Sequence, residues 1–128
     1  MDTSKKYIKM CREAEEIQLY RTLWKRCKAG DFAYNADEDI VEVQEDVVML
    51  LAEDVWLPRQ DQLQEMVFGN YPNDSSYCGC VINSLGAWFN WREHKRLFSM
   101  EQLWLAFVMR EKFQKLWNDK EEKWEKIN

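Results

Sequence analysis

A single histidine, His94, and four cysteines are all that this 128-residue chain offers in the way of soft metal ligands. Cys11 and Cys27 lie sixteen residues apart, and only Cys78-Gly79-Cys80 forms a close pair. The two clustered ligand pairs of a structural zinc site are therefore missing. Four thiols do not make a disulfide scaffold for a chain of this length either. Long apolar runs are absent too. The longest uncharged stretch, Ser75 to Trp91, is interrupted by Gly79, Asn83, Ser84 and Gly86, and is too short and too polar to span a bilayer. The lysines of the opening MDTSKKYIKM have no apolar run behind them. No secretory signal is expected, and the cytoplasm is the expected location. There is no nucleophile elbow, phosphate loop, dinucleotide fingerprint or metalloprotease helix. No catalytic residue is assigned, no cofactor is expected, and the balance leans away from an enzyme.

Positive charge is scarce in the middle of the chain. Residues 31–80 carry Arg59 alone against twelve acids, whereas residues 1–30 carry eight Lys/Arg against four acids. Residues 81–128 hold nine basic and seven acidic side chains, and the whole chain is at −5. An acidic middle between mildly basic ends lacks the concentrated positive stripe that nucleic acid requires, so no nucleic-acid partner is expected.

What the chain has in abundance is aromatic surface, with seven Trp, five Tyr and six Phe in a composition that is 46% hydrophobic. Each aromatic ring buries roughly 150–250 Å², so one core suffices and residues 1–128 read as a single domain.

Periodicity predicts an α+β fold. Met10, Ala14, Ile17, Tyr20, Trp24 and Cys27 form one apolar seam, predicting a long helix from Ser4, as N-cap, to Lys28. Phe32 and Tyr34, then Val41 and Val43, alternate with polar or small neighbours around Ala36-Asp37-Glu38, which predicts a hairpin. Val47 to Leu51 reads as a third strand, with a buried helical turn as the alternative, and Val55-Trp56-Leu57 as extended before Pro58. Pro58 is placed at the first position of a helix reaching Phe68. A further helix from Ser76 is expected to turn Cys78, Val81, Ile82, Leu85, Trp88 and Phe89 inward, with Gly79 and Gly86 allowing close approach of a neighbour. Ser99-Met-Glu-Gln102 is a capping box, and Leu103 to Met109 is apolar without a break. The expected architecture is about four helices around a central buried helix, residues 100–117, with a small antiparallel sheet from residues 31–57. Glu111–Lys115 and Glu122–Lys126 are expected as i,i+4 pairs.

Three groups of side chains are candidates for function. Trp117, Trp124 and Ile127 look hard to bury in a core already filled by residues 103–109, and Trp is a common interface anchor, so they are the candidate partner surface. Back-packing of this tail on its own domain is the competing explanation. Cys78, Cys80 and His94 are the weaker candidates for a metal or redox site, against a structural role at a helix start. Asn35-x-Asp37-x-Asp39 has calcium-loop spacing, but Ile40 stands where such a loop needs glycine, so a solvated acidic turn fits better.

Two blocks, WLPRQDQLQEM at 56–66 and SMEQLWLAFVMREKFQKLW at 99–117, resemble small uncharacterised proteins found in prophage-like regions of Gram-positive bacteria. Asp31-Phe32-Ala33-Tyr34 and the Val-rich strand after it also suit that group. The resemblance implies a bacterial, phage-associated context and carries no activity, cofactor or catalytic residue. The expected function is a non-catalytic interaction or accessory protein, with a protein partner or a second copy of itself and no membrane. A metal or redox module on Cys78 and Cys80, or a small enzyme, is the alternative.

Overall fold

The computed structural model describes residues 1–22, 29–45, 53–68, 75–89 and 99–127. Ser4 begins the first helix, α1 (Lys5–Glu13), its hydroxyl accepting the Tyr7 N–H at 3.2 Å. Tyr7, Met10 and Cys11 face inward on this helix and are fully buried. The chain does not continue as one long helix. At Ala14 the backbone turns to ψ 74°, and a second helix, α2 (Glu15–Thr22), starts at once. Glu15 and Glu16 sit in its first turn, where acids favour the helix dipole. The Cys11 carbonyl released by the break is taken up by the Ala14 N–H at 3.2 Å and by Gln18 Nε2 at 3.1 Å. The predicted positions Trp24 and Cys27 lie outside the described residues, as does the side chain of Tyr20.

The break aims Gln18 at the sheet. Strands β1 (Phe32–Asn35), β2 (Ile40–Val43) and β3 (Val55–Leu57) form an antiparallel sheet in the order β2-β1-β3, as the alternation predicts. The Gln18 amide accepts the Trp56 N–H at 3.0 Å and donates to the Trp56 carbonyl at 2.9 Å. One side chain thus stands in for a neighbouring strand along the outer edge of β3, which satisfies backbone groups that burial would otherwise orphan. Val47 to Leu51 lies within residues 46–52, outside the described residues.

Pro58 is fully buried and lies two residues before the first helical position it was expected to hold. Helix α3 (Gln60–Phe68) is begun by Arg59, whose carbonyl accepts the Leu63 N–H and whose N–H donates to Gln62 Oε1 at 2.9 Å. The Pro58 carbonyl is spent on the Tyr7 hydroxyl at 2.5 Å, so the proline joins this segment to α1. Arg59 and Gln62 also hold Asp31, 5% exposed at the start of β1, through contacts of 3.4 and 2.8 Å to Asp31 Oδ1.

Helix α4 (Ser75–Phe89) follows. Leu85 packs partly on the core, but Ile82 points outward and is 58% exposed, against the expected inward face. A Cβ built on Gly79 or Gly86 meets nothing within 4 Å among the described residues, so none of the described helices presses on either glycine.

The last helix, α5 (Met100–Phe113), is the centre of the fold. Every residue from Gln102 to Met109 is buried. Trp104 packs edge-on to Phe107 at 5.8 Å and tilts against Phe68 at 6.3 Å. Ser99 caps it as expected, its Oγ accepting the backbone N–H of Gln102 at 3.1 Å, and the Gln102 side chain turns toward Asp2. Its amide donates to Asp2 Oδ2 at 2.8 Å, and Ser99 Oγ donates to the same oxygen at 2.5 Å. The helix ends at Phe113, four residues short of expectation. Gln114 adopts a left-handed conformation (φ 52°, ψ 48°) and closes it through N–H bonds to Arg110 and Met109 carbonyls. The chain then forms a second hairpin, β4 (Lys115–Asn118) and β5 (Lys123–Lys126). With the helix ended, the two expected i,i+4 pairs do not form. Glu111 pairs with Arg110, and Lys115 with Glu16.

Candidate functional site

Helix α1 is buried on one side only. Lys5, Lys9 and Arg12, at i, i+4 and i+7, line up on the side away from Tyr7, Met10 and Cys11. The two β-hairpins flank this basic face. Arg12 lies over the Tyr34 ring at 5.5 Å, tying α1 to the first hairpin. Lys6 pairs with Asp119 at 3.0 Å, tying it to the second.

The two hairpins are built alike. Their strands have the same lengths, and register partners match at an offset of 83 residues: Asn35 opposite Ile40, Asn118 opposite Lys123. In each, the asparagine Oδ1 accepts the two N–H groups that follow in the turn, at 3.0 and 3.2 Å from Asp37 and Glu38, and 3.1 and 3.0 Å from Lys120 and Glu121. Each turn closes with an acidic residue at positive φ, Asp39 at 54° and Glu122 at 52°. Each asparagine is preceded by an aromatic residue, Tyr34 or Trp117. The two hairpins repeat one turn chemistry rather than one sequence. Its signal is aromatic-Asn followed by an acid four residues after the asparagine.

Between the hairpins lies an open groove of about 640 Å³. Its cations are Lys5, Lys9 and Arg12, together with Lys6, and Ile8 supplies an apolar patch. Tyr34 and Trp117 contribute one ring from each hairpin, and Asp39, Asp119 and Glu122 contribute carboxylates from the turns. Among the described residues Lys5 and Arg12 have no carboxylate partner, and Lys9 shares Glu13 at 3.0 Å on the exposed surface. The Tyr34 hydroxyl donates to Asp39 Oδ1 at 2.7 Å, and this hydrogen bond raises the phenol pKa. A phenolate nucleophile is therefore disfavoured there.

The candidate partner residues divide. Trp117 and Trp124 are cross-strand partners with ring centroids 5.1 Å apart, and both pack partly on the core. Trp124 donates its indole N–H to the Met10 carbonyl at 3.0 Å, and Trp117 Nε1 donates to Asp119 at 3.3 Å. The tail folds back on its own domain, leaving Trp117 at the groove and Trp124 beneath the hairpin. Ile127 is 43% exposed and does not line the groove. Of the metal candidates, Cys80 is exposed on α4, while the side chain of Cys78 and all of His94 lie outside the described residues. No three His, Cys, Asp or Glu side chains converge on a metal-sized site among the described residues. The acidic turn at 35–39 uses Asn35 on backbone N–H groups and Asp39 on Tyr34 rather than presenting them to a cation. No helix among the described residues is long and apolar enough to cross a membrane. No family model, curated protein or solved structure matches the chain.

Proposed function

We propose that this chain is a non-catalytic partner-binding domain and that the groove over α1 is its binding surface. The observation that carries this reading is the groove itself: Lys5 and Arg12, without a carboxylate partner among the described residues, flanked by an aromatic ring from each of two hairpins anchored to the same helix. Aromatic and arginine side chains beside a concavity are the usual ingredients of a binding hot spot. The hydroxyl in the groove is already engaged by Asp39, which supports binding rather than catalysis. A phage-associated accessory role, suggested by residues 56–66 and 99–117, is compatible with such a domain. The test is a displayed library of random peptides selected on the wild-type protein. Enriched peptides are expected to lose binding to the Lys5→Glu/Arg12→Glu double variant. Enriched peptides that bind this variant unchanged would place the partner surface elsewhere.

A second reading, self-association, draws on α4. Its fifteen residues carry no charge, and Ile82, Cys80 and Ala87 are exposed along it. Sedimentation equilibrium of the wild type against Ile82→Glu tests it. A dimer lost in the variant supports this reading, and a monomeric wild type removes it.

A further inference from the structure

We infer that the groove over α1 takes an extended protein segment with acidic side chains at alternate positions. The inference rests on the groove being the partner site and names the chemistry of its occupant. Lys5, Lys9 and Arg12 rise along one side of α1, and at 1.5 Å per residue the first two stand about 6 Å apart along the axis. Alternate side chains of an extended chain repeat at about 6.6 Å on the same face. A segment of acid-x-acid pattern laid along α1 therefore sets one carboxylate over Lys5 and the next over Lys9, with Arg12 beyond them. The intervening side chains point away from the helix, level with the rings of Tyr34 and Trp117.

The rim decides between anions. Asp39, Asp119 and Glu122 carry carboxylates from both hairpin turns to the edge of the same groove. A phosphodiester backbone offers those carboxylates only acceptors and negative charge, so it is repelled at the edge while attracted at the floor. An extended peptide presents both kinds of group. Its acidic side chains answer the cations, and its backbone N–H groups donate to the rim. The mixture of signs thus favours an acidic peptide over a nucleic-acid strand of equal charge.

The experiment uses the full chain and a fluorescein-labelled peptide of three Glu alternating with Tyr, read by fluorescence anisotropy at low salt. Two further peptides replace Glu by Gln or by Lys, and a ten-nucleotide thymidine strand serves as the phosphate probe. The Glu peptide is expected to bind, to weaken several-fold between about 50 and 300 mM salt, and to lose at least about fivefold in affinity to Lys5→Glu/Arg12→Glu. Both substituted positions are exposed, and Glu in the first turn of α1 suits the helix dipole. Arg12→Glu, however, puts an acid in the last turn and removes the contact with Tyr34, so an unchanged circular dichroism spectrum and melting temperature are required before the variant's loss of binding counts. The Gln peptide is expected to bind at least about fivefold more weakly than the Glu peptide. Tighter binding of the thymidine strand than of the Glu peptide overturns the inference. So does equal or better binding of the Gln or Lys peptide; if that binding is lost in Trp117→Ala, the groove stands as partner site and only the acidic ligand falls. If none of the peptides binds, both readings fall.

Discussion

Trp124 donates its indole N–H to the carbonyl of Met10 at 3.0 Å, across 114 residues of sequence. The same carbonyl also accepts the Ala14 N–H at 3.1 Å, at the turn that separates α1 from α2. One oxygen thus fixes both the end of the first helix and the seat of the last hairpin. Trp124→Phe keeps most of the ring packing and removes the long-range bond, and is expected to cost about 1 kcal/mol in urea unfolding. Removing residues 119–128 deletes β5 with Trp124, and is expected to lower the midpoint well beyond the Phe variant. An unchanged midpoint on truncation would show that the hairpin does not stabilise the domain.

Asp2 is expected to make stability depend on acid pH. Burial pushes its pKa up, but hydrogen bonds from Ser4, Ser99 and Gln102 outweigh that and hold it below the ordinary value of 3.8. A carboxylate with a lowered folded pKa contributes stability that is present above the unfolded value and lost as pH falls through the folded one. Asp2→Asn is therefore expected to be less stable than wild type near neutral pH. The difference in melting temperature should shrink only below about pH 4. A gap that stays constant down to pH 2 would assign the effect to shape rather than charge.

Gln18 closes the outer edge of β3, so its amide is more than a surface group. Gln18→Met keeps the length and leaves the Trp56 N–H and carbonyl without it, an expected loss of about 2 kcal/mol. Gln18→Glu keeps the acceptor for the Trp56 N–H but turns both donated bonds, to Trp56 and Cys11, into oxygen–oxygen contacts. It is expected to be the worse of the two above pH 5, by thermal melting.

Lys115 on β4 pairs with Glu16 on α2, whose second carboxylate oxygen is buried with no hydrogen-bond partner among the described residues. Lys115→Met alone leaves that carboxylate without its cation and is expected to cost about 1–2 kcal/mol. Adding Glu16→Gln should recover part of the loss, a coupling that a double-mutant cycle in urea measures directly. Additive effects would show the pair to be energetically silent.

Local chemistry was readable where side chain and backbone agree over a few residues. Ser4 and Ser99 cap their helices, β1 and β2 pair around an acidic turn, and the unbroken apolar run on α5 is buried on every side. The missed features depend on distant partners. Ala14 is a good helix former, and the helix breaks there as α2 turns Gln18 toward the edge of a strand 38 residues away. Gln102 reads as a partner within its own cap, and its amide nitrogen also donates to Asp2, 100 residues earlier in the sequence. After Phe113, Leu116 and Trp117 continue a helical spacing, and only a left-handed Gln114 diverts them into a strand. The two tryptophans were expected to stand clear of a filled core, yet both pack partly on it: a hairpin carries Trp117 to the groove, and Trp124 anchors that hairpin to α1.

The clasp of α1 by two matched hairpins also sets an order on folding. Helix α1 is made before both hairpins and finds its Tyr34 partner early, but the oxygen at its far end waits for Trp124 and its Lys6 for Asp119. Contacts so distant in sequence are slow to form. Until residues 115–127 have been synthesised, the basic face of α1 stands open on one side, and the groove comes into being only when the second hairpin settles against α1.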